Sequence, residues 1–458
     1  MKKLLILMVL VGLTVSGNAL AAAVPADARA GTHSVQPAAV TELTILWAKW
    51  PPADALQSLA ARYTEETGIK VSVIQEPWDI FPQTFFAEME GQGTAYDMVV
   101  GESMWLGKGA QAGYYLDLTD WLTDQGIAAS LVPSTLASFA EYPAGSGKYW
   151  AYPLSGNLFG YAYRRDLLED PKKISSFARK HDYPLGVPEN FDQLKEIVEF
   201  LTKPMDGIMG IGLYTAMDYQ SLTPGIITAG FQSVFFSFGA DWHDAEGNII
   251  GVTNTPAAAE AAQYYQDLYR CCTALGAADA DYETVLTTYS KGLIALGMLN
   301  FGFAPLFRDP ALNPYADVTG FFANPRGADG NRYAVLGGQG ISVVSFISPE
   351  RQAAALDFLR WLAQDDVQAE WAALTGSTCN KNVVESEEFL SASPLNAAYA
   401  ESLDHIKDFW NVPQYAELLA IAQKQLHNFV IERTDPAQKV VDNIAEFQSR
   451  ILQEAGTQ

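Results

Sequence analysis

Strand-like and helix-like patterns of hydrophobic residues follow one another near the start of the chain. Leu43 and Ile45 flank a polar residue as in a strand, and apolar residues over 56–63 recur at helical spacing. Gly68 marks the end of this predicted helix, and a second alternation begins at Val71. A strand, a helix and a strand in this order form a βαβ unit, whose two strands lie parallel in one sheet. The pattern therefore predicts an open α/β sheet.

The same order of elements continues into what we interpret as a second domain. A predicted helix over 81–91 leads into the apolar residues 98–100, which indicate another strand of the first sheet. Beyond a turn-forming stretch at 153–157, residues 159–163 alternate as in a strand. The sequence from there to about Leu299 is mostly helical in pattern. A chain of 458 residues is also longer than one core usually serves, so two or three domains are expected.

The strand pattern returns late in the chain. Residues 336–344 have the pattern of a glycine-rich turn followed by a strand. Ser348 is then placed to cap a helix that begins at Pro349. This late strand and helix predict that the chain comes back to complete its first sheet.

The N-terminus has the pattern of a cleaved secretory signal peptide over 1–23. A positively charged start, an apolar run over 4–15 and small residues at 19–23 are its three parts. Asn18, rather than a cysteine, precedes the small residues, so a lipoprotein is not expected. Residues 24–40 are rich in alanine, proline and small polar residues, which predicts a disordered leader. No later stretch approaches the roughly 20 apolar residues of a membrane-spanning helix, so the mature protein is expected to be soluble and periplasmic.

The charge and the cysteines limit the possible partners and sites. A formal net charge of −24 disfavours nucleic acid and anionic membrane surfaces as partners. An oxidising compartment would allow Cys379 to pair with either Cys271 or Cys272, but unpaired cysteines are our default expectation. A metal site made of all three is unfavourable, because adjacent cysteines are poorly placed to share one ion.

Signatures of enzymes are weak, and we predict neither catalytic residues nor a cofactor or metal. The stretch GESMWLGKG over 101–109 departs from a phosphate-binding loop in its glycine spacing, and Gly109 stands where a Ser or Thr would bind magnesium. The five histidines lack the spacing of zinc ligands, and there is no GxSxG motif. A glycoside hydrolase with two facing carboxylates stays open as an alternative.

Tryptophans with polar neighbours follow the predicted strands of the first sheet. They are Trp47 and Trp50 with Lys49, Trp78 with Glu76 and Asp79, and Trp105 with Glu102 and Ser103. Because ligands bind outside the carboxyl ends of parallel strands, these loops are expected to converge on one cleft. An indole ring offers a flat apolar face to a sugar ring, and nearby carboxylates and amides pair with its hydroxyls. We therefore expect the rings of Trp78 and Trp105 to serve as ligand platforms.

Four blocks of sequence resemble extracellular solute-binding proteins of the carbohydrate-binding class, the relatives of maltose-binding protein. The blocks are LTILWAKWPPADALQSLAARYTEETGIKVSV, YDMVVGESMWLGKGAQAGYYLDLTDWL, YPLSGNLFGYAYRRDLL and VLGGQGISVVSFISPERQAAALDFLRWL. The resemblance implies a type II periplasmic-binding-protein fold, with two hinge-connected α/β lobes, each an open sheet flanked by helices. Lobe 1 would comprise 41–153 plus 334–375, and lobe 2 would comprise 154–333 plus 376–455.

The resemblance also implies a function and a set of cleft residues. Such a protein is a non-enzymatic, monomeric receptor that binds a sugar, oligosaccharide or polyol and delivers it to an ABC permease in the inner membrane. A binding protein for a small charged solute is an alternative, since Lys49 can pair with an anion and Glu76 or Glu102 with a cation. The residues that we expect to contact ligand are Trp47, Lys49, Trp50, Glu76, Trp78, Glu102, Ser103, Trp105, Ser155, Asn157, Trp242, Asn300, Phe301, Gly337, Gly338 and Gln339.

Overall fold

Strands and helices alternate along most of the part of the chain that the computed structural model describes, which is residues 40–156, 158–217, 226–335, 338–403, 405–407, 409–433 and 435–456. The strands are β1 (Glu42–Ala48), β2 (Lys70–Glu76), β3 (Met98–Glu102), β4 (Tyr152–Ser155), β5 (Phe159–Arg164), β6 (Met209–Gly212), β7 (Ile294–Asn300), β8 (Thr319–Ala323), β9 (Tyr333–Val335), β10 (Gln339–Val343) and β11 (His405–Lys407). The helices are α1 (Pro51–Thr67), α2 (Phe81–Glu90), α3 (Leu106–Ala112), α4 (Thr119–Asp124), α5 (Ile127–Ser130), α6 (Pro133–Phe139), α7 (Arg165–Leu168), α8 (Pro171–Phe177), α9 (Phe191–Leu201), α10 (Ile226–Ser237), α11 (Pro256–Cys272), α12 (Tyr282–Ser290), α13 (Ala304–Arg308), α14 (Pro349–Leu362), α15 (Asp365–Thr375), α16 (Lys381–Val384), α17 (Glu387–Ala392), α18 (Pro394–Glu401), α19 (Tyr415–His427) and α20 (Ala437–Glu454).

The predicted βαβ unit at the start of the chain is confirmed. β1 and β2 are parallel, and their last residues, Ala48 and Glu76, are paired. Between them α1 buries Leu56 and Leu59 on its inner face. Gly68 caps this helix with a φ of 77°, a left-handed conformation that glycine adopts without strain.

The first sheet has five strands in the order β2-β1-β3-β10-β4. β1 is parallel to both β2 and β3, whereas β10 is antiparallel to β3 and β4. The late strand therefore inserts between strands from the first third of the chain, as its sequence pattern predicts. α14 follows it, with Ser348 as the N-cap and Pro349 as the first helical residue.

An ion pair between a buried carboxylate and a half-exposed arginine fixes the first sheet to α14. Asp97, which precedes β3 and is fully buried, accepts hydrogen bonds from Nε and Nη2 of Arg351 at 2.6 Å each. The same carboxylate accepts the backbone N–H of Thr44 in β1 at 2.7 Å. Because a buried charge is tolerated only when it is paired and hydrogen-bonded, these contacts hold the two strands and the helix in one arrangement.

The second sheet has four strands in the order β6-β7-β5-β8. β5 is antiparallel to β7 and β8, and β6 is parallel to β7. The sequence pattern predicts a mostly helical stretch up to about Leu299, but β7 occupies 294–300. All seven residues of β7 are buried. A strand that is covered on both faces shows no alternation, which explains why periodicity misses it.

Two connections join the sheets. One runs directly from β4 to β5, and the other runs from β8 through β9 to β10. β9 also pairs in parallel with β11, which forms a separate two-stranded sheet. The predicted lobe boundaries at 153/154, 333/334 and 375/376 stay predictions.

The cysteines differ from the expectation. Cys271 and Cys272, at the end of α11, are joined to each other by a disulfide, so the default of unpaired cysteines is wrong for them. Cys379 is outside any disulfide and buried. The backbone oxygen of Cys379 accepts the backbone N–H of Val132, which lies just before α6. Cys379 is thus held by a segment far in sequence from α11, which carries the other two cysteines. Burial raises the pKa of the Cys379 thiol to about 12, so the thiol is protonated at neutral pH.

The predicted signal peptide and all but the last residue of the predicted leader lie outside the described residues. Within the described ranges, no helix combines the length and the apolar composition that crossing a membrane requires.

Candidate functional site

Five strand ends meet along one edge of the first sheet. β1, β2 and β3 end at this edge, while β10 begins there. Gln339, the first residue of β10, is paired with Glu102 on one side and Ser155 on the other. The polar residues that the sequence places after separate strands are therefore neighbours at this edge. That they contact a ligand stays a prediction.

A chain of hydrogen bonds fixes three of these side chains. Trp47 donates its indole N–H to Oε1 of Gln339 at 3.0 Å. Gln339 in turn donates from Nε2 to Oε1 of Glu102. All three residues are at most 3% exposed. Because each bond restricts the next, the amide and the carboxylate have one orientation, which is the preorganisation a polar site needs.

The second sheet presents a matching edge. Asn300, at the end of β7, is paired with Phe159, at the start of β5. The side chain of Asn300 accepts the backbone N–H of Gly302 at 2.9 Å and so fixes the turn that follows β7. The ring of Phe301 covers β5, since a Cβ on Gly160 would lie 2.3 Å from its Cζ. Phe301 is 2% exposed and is a packing residue in this structure.

Aromatic rings connect the two edges. The ring centroid of Trp50 lies 5.7 Å from the ring centroids of Trp47, Trp78 and Phe303, each at a steep angle. Phe303 follows β7 and is stacked on Tyr282 with centroids 4.0 Å apart. Trp50 and Phe303 therefore make a direct contact between the loops of the first and second sheets. Such edge-to-face pairs add roughly 0.5–1.5 kcal/mol beyond the area they bury.

Two indole donors beside this contact have no hydrogen-bond partner in the described ranges of the chain. The Nε1 atoms of Trp50 and Trp78 are buried, and no acceptor lies within reach among the described residues. An unpaired buried donor costs about 1–3 kcal/mol. An acceptor supplied by a ligand would remove this cost.

Tyr282 is a further donor close to these rings. Burial raises its pKa to about 12, and the neighbouring carboxylate of Glu283 adds to the shift. The hydroxyl of Tyr282 donates to Oε1 of Glu283 at 3.2 Å. It therefore remains protonated, and a donor, throughout the physiological pH range.

The sequence profile of bacterial extracellular solute-binding proteins matches residues 49–369. The match spans more than half of the 458 residues. The chain belongs to this family.

A sequence relative of this solute-binding protein is the maltotriose-binding protein of Pyrococcus abyssi (strain GE5 / Orsay). The two are 24% identical over 169 residues, which is 36% of this chain and 32% of that protein. The matched stretch thus spans about a third of the relative's length.

Solved structures share the fold across almost the whole chain. An ABC transporter solute-binding protein from Agrobacterium radiobacter K84 in complex with ribitol is 21% identical, with a TM-score of 0.75 over 91% of this chain and 100% of that one. The maltose-bound MalE3 of T. maritima is also 21% identical, with a TM-score of 0.75 over 90% of this chain and 100% of that one. This likeness establishes the two-lobed α/β fold.

In this solute-binding protein, Trp105 does not form an open platform, which corrects the expectation from sequence. Its ring is fully buried, with the ring centroids of Phe81, Phe85 and Phe86 of α2 at 5.5, 4.8 and 5.1 Å. The chain turns immediately after β3 through a short 3-10 segment, Ser103–Trp105, and the ring is directed back onto α2. Position after a strand does not by itself determine the direction of a side chain.

Trp242 is also enclosed. Its ring is stacked on Phe235 at 4.4 Å, and it donates its indole N–H to Oε1 of Gln232 at 2.8 Å. Since it is 2% exposed and its donor is satisfied, it serves the packing of α10 in this structure. That Trp242 contacts a ligand stays a prediction.

The remaining predicted residues differ in exposure. The side chain of Lys49 is exposed, and its backbone N–H donates to the oxygen of Glu76 at 2.7 Å. Ser155 and Ser103 are buried, and the backbone N–H of Ser103 donates to the oxygen of Gly338 at 3.3 Å. A Cβ on Gly338 would lie 2.1 Å from the ring of Phe139, so this glycine is required by packing. Asn157 and Gly337 lie outside the described residues.

Sequence reasoning misses Phe303, Tyr282 and Trp371. Phe303 comes three residues after the end of β7, and its position after a strand was the available signal. Tyr282 begins α12, and nothing in the pattern distinguishes it. Trp371 lies on α15 and is stacked on Trp47 with ring centroids 6.5 Å apart, a contact made only in the folded chain. Across the described residues, no cluster of three or more His, Cys, Asp or Glu side chains is placed to hold a metal ion.

Proposed function

We propose that this solute-binding protein captures a neutral sugar or polyol between its two lobes and delivers it to the permease of an ABC importer in the inner membrane. It acts as a monomer in the periplasm, after export through a cleaved signal peptide. It leaves the ligand chemically unchanged.

The observation that carries this proposal is the pair of indole donors of Trp50 and Trp78, which have no partner among the residues that the structure describes. They lie in the same group of strand ends as the fixed carboxylate and amide of Glu102 and Gln339. Donors, acceptors and aromatic rings together match a ligand with many hydroxyls, since each hydroxyl both donates and accepts. The ribitol, maltose and maltotriose named for similar proteins support this ligand class.

The two alternatives receive less support from the geometry. An anionic solute would need Lys49, whose exposed side chain must first lose its hydration. A glycoside hydrolase would need two facing carboxylates, whereas Glu102 has one oxygen bonded to the amide of Gln339. Both alternatives remain outcomes of the test below.

Tryptophan fluorescence and melting temperature test the ligand class. They are measured with ribitol, D-mannitol, D-glucose and maltose and, for comparison, with an amino acid and a divalent metal ion. At 100 times the dissociation constant a ligand stabilises the folded state by about 2.7 kcal/mol, so we expect a higher melting temperature together with a fluorescence change. Mass spectrometry of the released ligand should show it intact. If an amino acid or a metal ion gives these signals and no sugar or polyol does, the ligand class is wrong, and a hydrolysed product would indicate an enzyme.

Trp78→Phe provides a sharper test, because it keeps an aromatic ring and removes the donor. We expect about a 5- to 10-fold loss of affinity, the equivalent of one hydrogen bond of about 1 kcal/mol. Trp121→Phe is the matched control, since the indole N–H of Trp121 also lacks a partner among the described residues but lies on α4. If the two variants lose the same affinity, the indole N–H of Trp78 does not bind the ligand directly.

A further inference from the structure

The strand orders define two opposite ends of the cleft between the sheets. The connecting strands β4 and β10 lie at one end of the first sheet, and β5 and β8 lie at one end of the second. The remaining strands are β3, β1 and β2 in the first sheet and β7 and β6 in the second, and they extend to the far ends. The cleft therefore has a hinge end, where the chain crosses, and a mouth, where it does not.

The contact between Trp50 and Phe303 lies at the mouth. Trp50 follows β1 and Phe303 follows β7, and their ring centroids are 5.7 Å apart at 63°. Each ring is supported from its own side. Trp78 contacts Trp50 at 5.7 Å, and Tyr282 is stacked parallel to Phe303 at 4.0 Å. We refer to these four residues as the clasp.

A second set of contacts links the start of α3, which follows β3 closely, to the segment 409–411. Asn411 accepts the backbone N–H of Gly107, at the start of α3, through Oδ1 at 2.7 Å. The neighbouring ring of Trp410 is stacked on His243, in the loop after α10, at 4.1 Å. A Cβ on Gly107 would lie 2.7 Å from Oδ1 of Asn411, so this approach requires glycine. The segment 409–411 thus contacts both the start of α3 and the loop after α10, away from the Trp50–Phe303 contact.

We propose that the clasp limits the ligand of this protein to a single sugar ring or an open-chain polyol. This inference rests on the proposed function and specifies the size of the ligand. Between β1, which Trp50 follows, and β4, at the hinge, there are three strand spacings. At about 4.8 Å per spacing this is roughly 14 Å, part of which is occupied by side chains.

The clasp also explains how a small ligand gains affinity from closure. A ligand held behind Trp50 and Trp78 would supply the acceptor that their indole N–H groups lack within the described part of the chain. A ligand of several rings extending toward the mouth would have to separate Trp50 from Phe303. The complex would lose the contact between Trp50 and Phe303 while it gains contacts to the additional rings. The two changes offset each other, so the additional rings bring no net affinity.

Calorimetric titration of one set of ligands tests the size limit. D-Glucose, D-mannitol and ribitol are compared with maltose and maltotriose on the wild-type protein and on Phe303→Ala. For the wild type we expect the best small ligand to bind at least 10-fold more tightly than maltotriose. The ratio that we compare is the dissociation constant of maltotriose divided by that of the best small ligand. For Phe303→Ala we expect this ratio to be at least 5-fold lower than for the wild type. Phe447→Ala is the matched control, because Phe447 is on α20 and 37% exposed; its ratio should equal that of the wild type.

The outcomes separate this inference from the proposed function. Wild-type binding of maltotriose as tight as that of the small ligands, or an unchanged ratio in Phe303→Ala, would overturn the size limit and leave sugar binding intact. Binding of none of the five ligands would overturn the proposed function, and the size limit with it.

Phe303→Leu replaces Phe303→Ala in these titrations if the alanine variant fails to fold. Small-angle scattering without ligand gives an independent reading, since loss of the clasp should increase the radius of gyration, and an unchanged radius counts against it.

Discussion

At the scale of single residues, the tryptophans of this protein divide by what their N–H groups and ring faces contact. Trp47 donates to Gln339, and Trp105 is surrounded by three phenylalanines. Trp50 and Trp78 have buried donors without a described partner. The same residue type after the same kind of strand is thus enclosed by phenyl rings in one case and has a buried donor without a described partner in another.

This division predicts opposite effects for two substitutions. Trp105→Ala should lower the free energy of unfolding by about 3–5 kcal/mol, because it leaves a cavity among the phenyl rings of α2. Trp78→Ala should mainly weaken ligand binding, by about 1–3 kcal/mol, by analogy with stacking on aromatic side chains. Denaturant unfolding without ligand and calorimetry with ligand measure the two quantities. A Trp105→Ala protein of wild-type stability and reduced affinity would restore the platform role that the sequence suggests.

At the scale of elements, α12 places one residue of the clasp. The helix begins at Tyr282, and the N-cap Asp281 accepts the backbone N–H of Thr284 at 2.9 Å and its hydroxyl at 2.8 Å. The position of the Tyr282 ring against Phe303 therefore depends on how firmly this end of the helix is held. A capping residue can influence a site that it does not touch.

We expect Asp281→Ala to lower the free energy of unfolding by about 1 kcal/mol, the usual value of an N-cap. It should also reduce the preference for small ligands, because the first turn of α12 supports Phe303. Asp170→Ala is the matched control, since Asp170 caps α8 by accepting the backbone N–H of Lys172 at 2.7 Å. Both variants should lose similar stability, and only Asp281→Ala should change the ligand preference. An identical preference in both would mean that the cap does not act on the clasp.

At the scale of the whole molecule, the dominant feature is an excess of negative charge. The formal net charge of −24 is spread over a chain with 53 acidic and 29 basic residues. Like charges repel in the folded state and keep such a protein soluble. Salt reduces this repulsion, because the Debye length falls from about 30 Å at 0.01 M to about 8 Å at 0.15 M.

We therefore expect the melting temperature to rise when sodium chloride is increased from 0.01 to 0.15 M at pH 7. Each kcal/mol of stabilisation corresponds to about 1 °C for a chain of this length, because the unfolding entropy is about 2.1 cal/mol/K per residue. The control is the same comparison near pH 4.5, the isoelectric point of the sequence, where the net charge and the salt effect should both be small. A melting temperature that falls with salt at pH 7 would show that attractive ion pairs outweigh the repulsion.

Local sequence patterns determined much of the architecture. The alternation at Leu43 and Ile45, the helical spacing that follows it and the cap at Ser348 each predicted an element that the structure contains. They were predictable because periodicity and capping are properties of short stretches of chain. β7 escaped prediction, since burial on both of its faces removed the alternation.

The sequence alone determined the α/β class, the elements at the start and end of the first sheet, and the presence of polar and aromatic residues after its strands. Only the tertiary structure decided which of those side chains face one another. Trp47 meets Gln339 across 292 positions of sequence, and Trp50 meets Phe303 from a different sheet. The order of the strands and the direction of each turn fix these contacts, and both depend on packing between distant segments rather than on any local pattern.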